Sequence, residues 1–198
     1  MADFDSPSRR ALLQTALAAG GASLAAARAL AQELAPTPAC HDGDPPTLPE
    51  IEGPFFKVRS PERADLIETG RKGRLAELSG TVLTRGCRPV ARALLDLWHA
   101  DDGGDYHNRG FRYRGHIFTD AQGRYRFRTI VPGLYPGRTR HYHIKVQAPT
   151  RPVLTTQLYF PDEPMNARDD FFHRELVMRT ADAGGVLAAR FDFVLDLR

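Results

Sequence analysis

From Leu75 to the last residue, the chain breaks into short apolar runs, each closed by glycine, proline or an acidic turn. The runs LAELSGTVL, ALLDLWHA, YRGHIFTD, GRYRFRTI, HYHIKVQA, LTTQLYF, RELVMRT and ARFDFVLDL each suit a strand of about 5–8 residues. Phe and Tyr alternate with charged residues in RYRFR and RFDFVLDL, the period-2 pattern of strands with one buried face. Many short strands with Gly and Pro turns predict an all-β fold, an antiparallel β-sandwich over residues 75–198. Seventeen glycines and 15 prolines supply those turns. Helical patterning is confined to PERADLIE and PMNARDD, each about two turns long.

The segment ahead of the strands reads differently. Residues 36–60 hold too many prolines for a helix or a central strand, so 32–74 is expected to be an extended arm. Residues 1–31 look like a cleavable address: Arg9 and Arg10 precede a mildly apolar stretch to Ala27, and Ala29-Leu30-Ala31 offers small residues for cleavage before Gln32. Paired arginines there resemble a twin-arginine export signal, which implies an extracytoplasmic location. The stretch is too short and too rich in Ala and Gly for a membrane span. Cys40 and Cys87 are the only cysteines. They form either one disulfide, as an oxidising compartment favours, or two buried thiols. A formal charge of +3 without a basic block gives no reason to expect nucleic acid as a partner.

His141-Tyr142-His143 carries the first chemical signal. On a strand, residues two apart share a face, so both imidazoles converge while Tyr142 points away. That is half a metal site. Tyr135 lies in a Pro-Gly turn six residues before His141, Arg138 lies three before it, Tyr106 follows a Gly-Gly turn, and Gln157 sits on a later strand.

These residues, with EGPFF, SGTVLTRGCRPVARALLDLWHADDGGDY, RGHIFTDAQGRYRFRTIVPGLYPGR, HYHIKV and TTQLYF, resemble the intradiol ring-cleavage dioxygenase family over roughly Glu52 to Phe160. The resemblance implies a non-haem ferric iron held by Tyr106, Tyr135, His141 and His143. It implies that Arg138 and Gln157 face the substrate, that Trp98 belongs to the pocket wall, and that Phe55 or Phe56 lines the pocket mouth. Its substrates are a small aromatic diol and O2, its product a muconate-type diacid, and its members commonly form homo-oligomers. The donor set suits that metal, since ferric iron favours anionic oxygen donors with imidazole as a good partner. Tyr135 would leave the metal and take a substrate proton.

Two other readings compete. The strands and turns also resemble transthyretin-like and carboxypeptidase-regulatory sandwich modules, which bind and do not catalyse; fold alone does not separate them. Such modules have no need of two tyrosines and an arginine at these distances from a His-x-His. A zinc hydrolase on His141 and His143 lacks a third ligand at a sensible spacing. His99, His107, His116 and His173 are read as structural or surface residues, and Trp98 as buried under any reading.

Overall fold

The computed structural model describes residues 40, 41 and 43–198; the expected leader, 1–31, and residues 32–39 of the arm lie outside them. Nine strands follow: β1 (Leu75–Thr84), β2 (Leu94–Trp98), β3 (Arg114–Phe118), β4 (Arg124–Ile130), β5 (His141–Gln147), β6 (Leu154–Tyr159), β7 (Arg179–Ala183), β8 (Val186–Arg190) and β9 (Phe193–Leu195). β1 alternates half-buried and buried positions along its whole length, as a strand with one face in a core must. It pairs antiparallel with β4 on one edge, and on the other it runs parallel to β8 and then to β9. β7 extends this sheet beside β8. The second sheet, in the order β3-β2-β5-β6, is antiparallel throughout. Between the sheets lie Leu78, Phe127 and Phe193 from one side and Leu95, Leu97, Ile144 and Leu158 from the other, all fully buried.

The sandwich matches the sequence expectation, and four local details differ. The parallel pairings of β1 depart from a wholly antiparallel arrangement, and they arise because ARFDFVLDL is two strands. The chain steps out of line at Phe191 and Asp192, where the Phe191 carbonyl accepts from the Tyr125 hydroxyl and the Thr81 amide donates to Asp192. RELVMRT is a 3-10 turn at Arg174–Leu176 leading into β7, which forms a hairpin with β8 through Gly184-Gly185. PERADLIE is not helical. Its backbone bonds outward, Arg63 N to the His116 carbonyl and Leu66 N to the Arg128 carbonyl, so tertiary pairing overrides local propensity. PMNARDD keeps only a 3-10 turn, Pro164–Ala167.

The described part of the arm, up to residue 74, is extended and irregular. Thr47 bonds to Val194 in the first sheet, whereas Glu50 N donates to the Thr155 carbonyl of the second. The arm then crosses the outer face of the β3-β2-β5-β6 sheet. Tyr142, Ile144 and Val146 of β5 point into the core, so by strand alternation His141, His143 and Lys145 point out, beneath the arm. Tyr142 is fully buried and its hydroxyl donates to the Ile130 carbonyl. Among the described residues no helix is long and apolar enough to cross a membrane.

Of the two states open to the cysteines, the structure has the disulfide: Cys40 bonds to Cys87 across a sequence separation of 47 residues. It ties the arm to the β1–β2 turn. Closing a loop of that length stabilises the fold by about 4 kcal/mol in the chain-entropy account. Cys87→Ser should therefore lower the urea midpoint clearly, and thiol titration of the unfolded, unreduced protein should find no free cysteine. Two reactive thiols in that titration would contradict the pairing.

Candidate metal centre

The pairing registers line four side chains across the outer face. Arg114 of β3 faces Trp98 of β2, Trp98 faces His143 of β5, and His143 faces Gln157 of β6. Directly opposed residues share a face, so Arg114, Trp98, His143 and Gln157 form one row, with His141 two positions further along β5. The imidazoles stand nearly perpendicular, and their Nε2 atoms approach to 3.1 Å. The indole of Trp98 stacks on His143, with ring centroids 4.9 Å apart.

Both tyrosines come from loops at the end of this sheet. Asp101 shapes the first loop by accepting from the amides of Gly103 and Asp105. The Gly133 amide donates to the Asp101 carbonyl, which joins this loop to the one carrying Tyr135. Side chains are excluded from the junction: a Cβ on Gly104 would lie 2.2 Å from the Leu134 carbonyl oxygen, and one on Gly133 would lie 2.4 Å from that of Asp102. The Tyr106 hydroxyl thereby reaches within 3.3 Å of His141 Nε2. The Tyr135 ring stands edge-on to Tyr106 at 5.9 Å.

Over this floor lies a roof, residues 51–56 of the arm. Gln157 Nε2 donates to the Ile51 carbonyl, Gly53 approaches the His143 ring, the Phe56 ring tilts against Trp98, and Arg114 Nη1 donates to the Phe55 carbonyl. Phe55 itself stacks on Tyr106 at 4.3 Å and meets Tyr135 edge-on at 5.5 Å. Both phenylalanines therefore touch the cluster. Arg138 is fixed from its far side: Nε contacts both Asp169 oxygens at 2.9 and 3.0 Å, and Nη2 donates to Gln157 Oε1 at 2.7 Å. Asp169, whose side chain has no exposed surface, also accepts from the Thr139 amide.

The donor set fits a cation. His141 Nδ1 bonds to the Thr139 carbonyl at 2.7 Å, so Nδ1 carries the proton and Nε2 presents a lone pair. Tyr106 and His143 both crowd that single lone pair, and His143 Nδ1 is buried with no partner. No assignment of protons satisfies both Nε2 atoms and the phenol at these distances; a positive ion among the three would accept a lone pair from each. Burial holds His141 neutral, its pKa pushed down to about 4, drives His143 well below its usual value, and raises the Tyr106 phenol above its own. Coordination to a cation offsets that last cost, as for metal-bound thiols and water. Among the described residues no group of three His, Cys, Asp or Glu gathers anywhere. The oxygen donor at the His pair is a phenol, Tyr106, which distinguishes the site from the two-histidine, one-carboxylate arrangement of ferrous oxygenases.

A family model described as Dioxygenase matches residues 51–197. The chain is also 33% identical over 147 residues to the protocatechuate 3,4-dioxygenase beta chain of Burkholderia cepacia, covering 60% of this chain and 63% of that one. The chain belongs to the intradiol dioxygenase family. Among solved structures, this family member is similar to the dioxygenase domain of a dioxygenase–carbohydrate-binding protein fusion from the cellulolytic bacterium Streptomyces sp. SirexAA-E. That match has 52% identity and a TM-score of 0.76, over 78% of this chain and 100% of that one. The 3-chlorocatechol 1,2-dioxygenase of Rhodococcus opacus 1CP follows at 27% identity and a TM-score of 0.71, over 76% of this chain and 73% of that one. This intradiol family chain spans 63% of the length of the Burkholderia beta chain and 48% of the Rhodococcus opacus hydroxyquinol 1,2-dioxygenase.

One member of the site, Asp169, carried no flag in the sequence, lying in a segment that reads as helical. Gly53 and Arg114 lie within the matched motifs, Gly53 without a role of its own and Arg114 as one of four arginines, with Arg109, Arg112 and Arg140, that could meet a substrate carboxylate. The remaining histidines stay out of the cluster: His99 bonds to Ala100 and Thr129, His116 to Ser60, and His173 to Glu50.

Two outcomes follow from this geometry. A Cβ on Gly53 would sit 3.3 Å from His143 Cε1 at a backbone φ of +70°. Gly53→Ala should cost about 1–3 kcal/mol in chemical denaturation and weaken metal retention, whereas an unaffected protein would show that the roof is not seated there. The second outcome concerns pH. His99 and His141 have pKa values pushed down to about 4 from 6.5 by burial. The unfolded chain takes up their protons below about 6.5 and the folded chain does not, so stability is full above that pH and declines as pH falls toward about 4. Melting of the metal-free protein between about pH 7.5 and about pH 4.5 should show this loss, and His99→Gln should flatten it.

Proposed function

We propose that the chain is a non-haem, iron(III)-dependent intradiol dioxygenase that opens an aromatic 1,2-diol between its two oxygenated carbons, adding both atoms of O2 to give a muconate-type diacid. The observation that carries this reading is a pair of imidazoles whose Nε2 atoms lie 3.1 Å apart with the Tyr106 phenol 3.3 Å from one of them, and the Tyr135 ring edge-on to Tyr106. Tyr106, Tyr135, His141 and His143 would hold the metal. When bound, ferric iron would supply Lewis acidity toward a chelated diol, drawing charge from the aromatic ring.

The protein groups have separable tasks. Tyr135 sits in a loop and is only half-buried; its phenolic oxygen is the base that takes a proton from an incoming substrate hydroxyl. Arg138, gripped by Asp169 and joined to Gln157, is preorganised to stabilise negative charge developing on the substrate. Phe55, Phe56 and Trp98 pack aromatic surface against the cluster, apolar surroundings of a kind that would suit contact with a flat ring.

Export belongs to the same proposal. Arg9-Arg10 ahead of the apolar stretch supports it, and so does the Cys40–Cys87 disulfide, which persists in oxidising compartments. A mature N-terminus near Gln32 on protein from the extracytoplasmic fraction is expected.

The deciding experiment is a visible spectrum of ferric-loaded protein before and after catechol is added without oxygen. A tyrosinate-to-iron charge-transfer colour that shifts with catechol is expected, weaker in Tyr106→Phe and lost with the iron in His141→Ala. Tyr135→Phe should slow diol binding. A colourless protein that takes up no iron would support the non-catalytic sandwich module instead.

A further inference from the structure

Arg114 is an unusual residue in energetic terms. It is 1% exposed, and its Nε and Nη2 are buried without a partner. Among the described residues, three cations near the cluster each have a carboxylate: Arg138 has Asp169, Arg140 has Glu163 and Lys145 has Glu52. Arg114 forms no ion pair of that kind. The acidic groups that act on it electrostatically are the Tyr106 phenol first and then Asp96, whose Oδ1 is taken by the Ser60 hydroxyl. A guanidinium stays charged when buried, so its desolvation is only partly offset by one hydrogen bond. Fold stability does not explain an arginine here.

Its single bond shows what it does. Arg114 and Gln157 are the two ends of the cross-strand row, and each donates to a roof carbonyl, Arg114 to Phe55 at 2.6 Å and Gln157 to Ile51 at 3.1 Å. Between them Gly53 lies against His143 and Phe56 against Trp98. The roof is thus matched to the row position by position and fastened at its two ends. At the Arg114 end, the residue fastened is the one whose ring lies nearly parallel on Tyr106, 15° between planes. Lys57, two residues beyond Phe55, bonds to the carbonyls of Asn108 and Gly110 and not to the row.

We infer that Arg114 is a positioning residue for Tyr106: its guanidinium pins the Phe55 carbonyl, and through the Phe55 ring holds the phenol in place at the centre. The inference rests on the ferric-phenolate reading for its consequence and on the bare protein for its mechanism. Arg114 touches neither substrate nor metal in this scheme. It sets the geometry of a residue that does.

The test uses full-length protein carrying Arg114→Met, Arg114→Gln or Arg114→Lys, first without metal. Amide hydrogen exchange read by mass spectrometry should speed up roughly tenfold or more in the roof peptide covering residues 51–57 and in the Tyr106 loop. This is expected in the Met and Gln variants but not in the Lys variant, whose amine still reaches the carbonyl. The melting temperature of the neutral variants should not fall, because an unpaired buried charge has been removed. With ferric iron, the charge-transfer band of the neutral variants should shift or broaden, with Lys restoring the parent band. Unchanged roof exchange in the Met and Gln variants would overturn the inference. So would faster exchange spread evenly over the chain with a lowered melting temperature, or a failure of both neutral variants to fold, since either assigns Arg114 to the fold itself. If the parent protein shows no band while roof exchange responds as described, the ferric reading fails and the positioning contact stands.

Discussion

The site depends on the register of β5 between β2 and β6. Because side chains alternate across a strand, the register that sends Tyr142, Ile144 and Val146 into the core also sends His141 and His143 to the opposite face. A slip of one residue would bury the imidazoles among aliphatic side chains and expose Tyr142. The hydrophobic interior is therefore what orients the metal donors. The same register places Trp98 flat against His143 and Gln157 beside it.

A sheet face that points away from the core is ordinarily wet. Here the arm dries it, and the electrostatics follow. Imidazoles lose their ability to hold a proton, the Tyr106 phenol keeps its own more tightly, and each charged group needs a partner or a function. Arg138 meets the requirement with Asp169, which contributes from a loop 31 residues away. That pairing keeps the guanidinium in one orientation and leaves Gln157 committed at both ends of its amide, Oε1 to Arg138 and Nε2 to Ile51. Gln157 thus connects the substrate-facing arginine to the roof.

Much of this is legible in the sequence. The alternation in β1, β4 and β5 reflects burial on one face and is local to each strand, so short windows disclose it. The His-x-His pair and its distances to Tyr135 and Arg138 are equally local. What stayed hidden is what depends on distant chain. Residues 61–68 have helical composition, yet their amides bond to His116 and Arg128, partners that no short window contains. Asp169 looks like half of a solvated Asp-Asp pair until the fold closes over it. Arg114 stands out only when the row is assembled, because its environment is made by β2, the roof and Tyr106. The step at Phe191 that divides β8 from β9 is invisible in a run of alternating Phe and Asp.

The junction of the two tyrosine loops bears on how such a site diversifies. Gly104 and Gly133 bring backbone against backbone, with no room for even a methyl group between the loops. An insertion or a bulkier residue in either loop would displace both tyrosines at once, so neither loop is free to vary on its own. Apart from Gly53 against His143, the roof is under no such coupling: it reaches the site through side chains and two carbonyl contacts, on a segment that is otherwise irregular. Changes in what the site accepts are therefore most easily accommodated in the arm. The loops that carry Tyr106 and Tyr135 form the fixed frame.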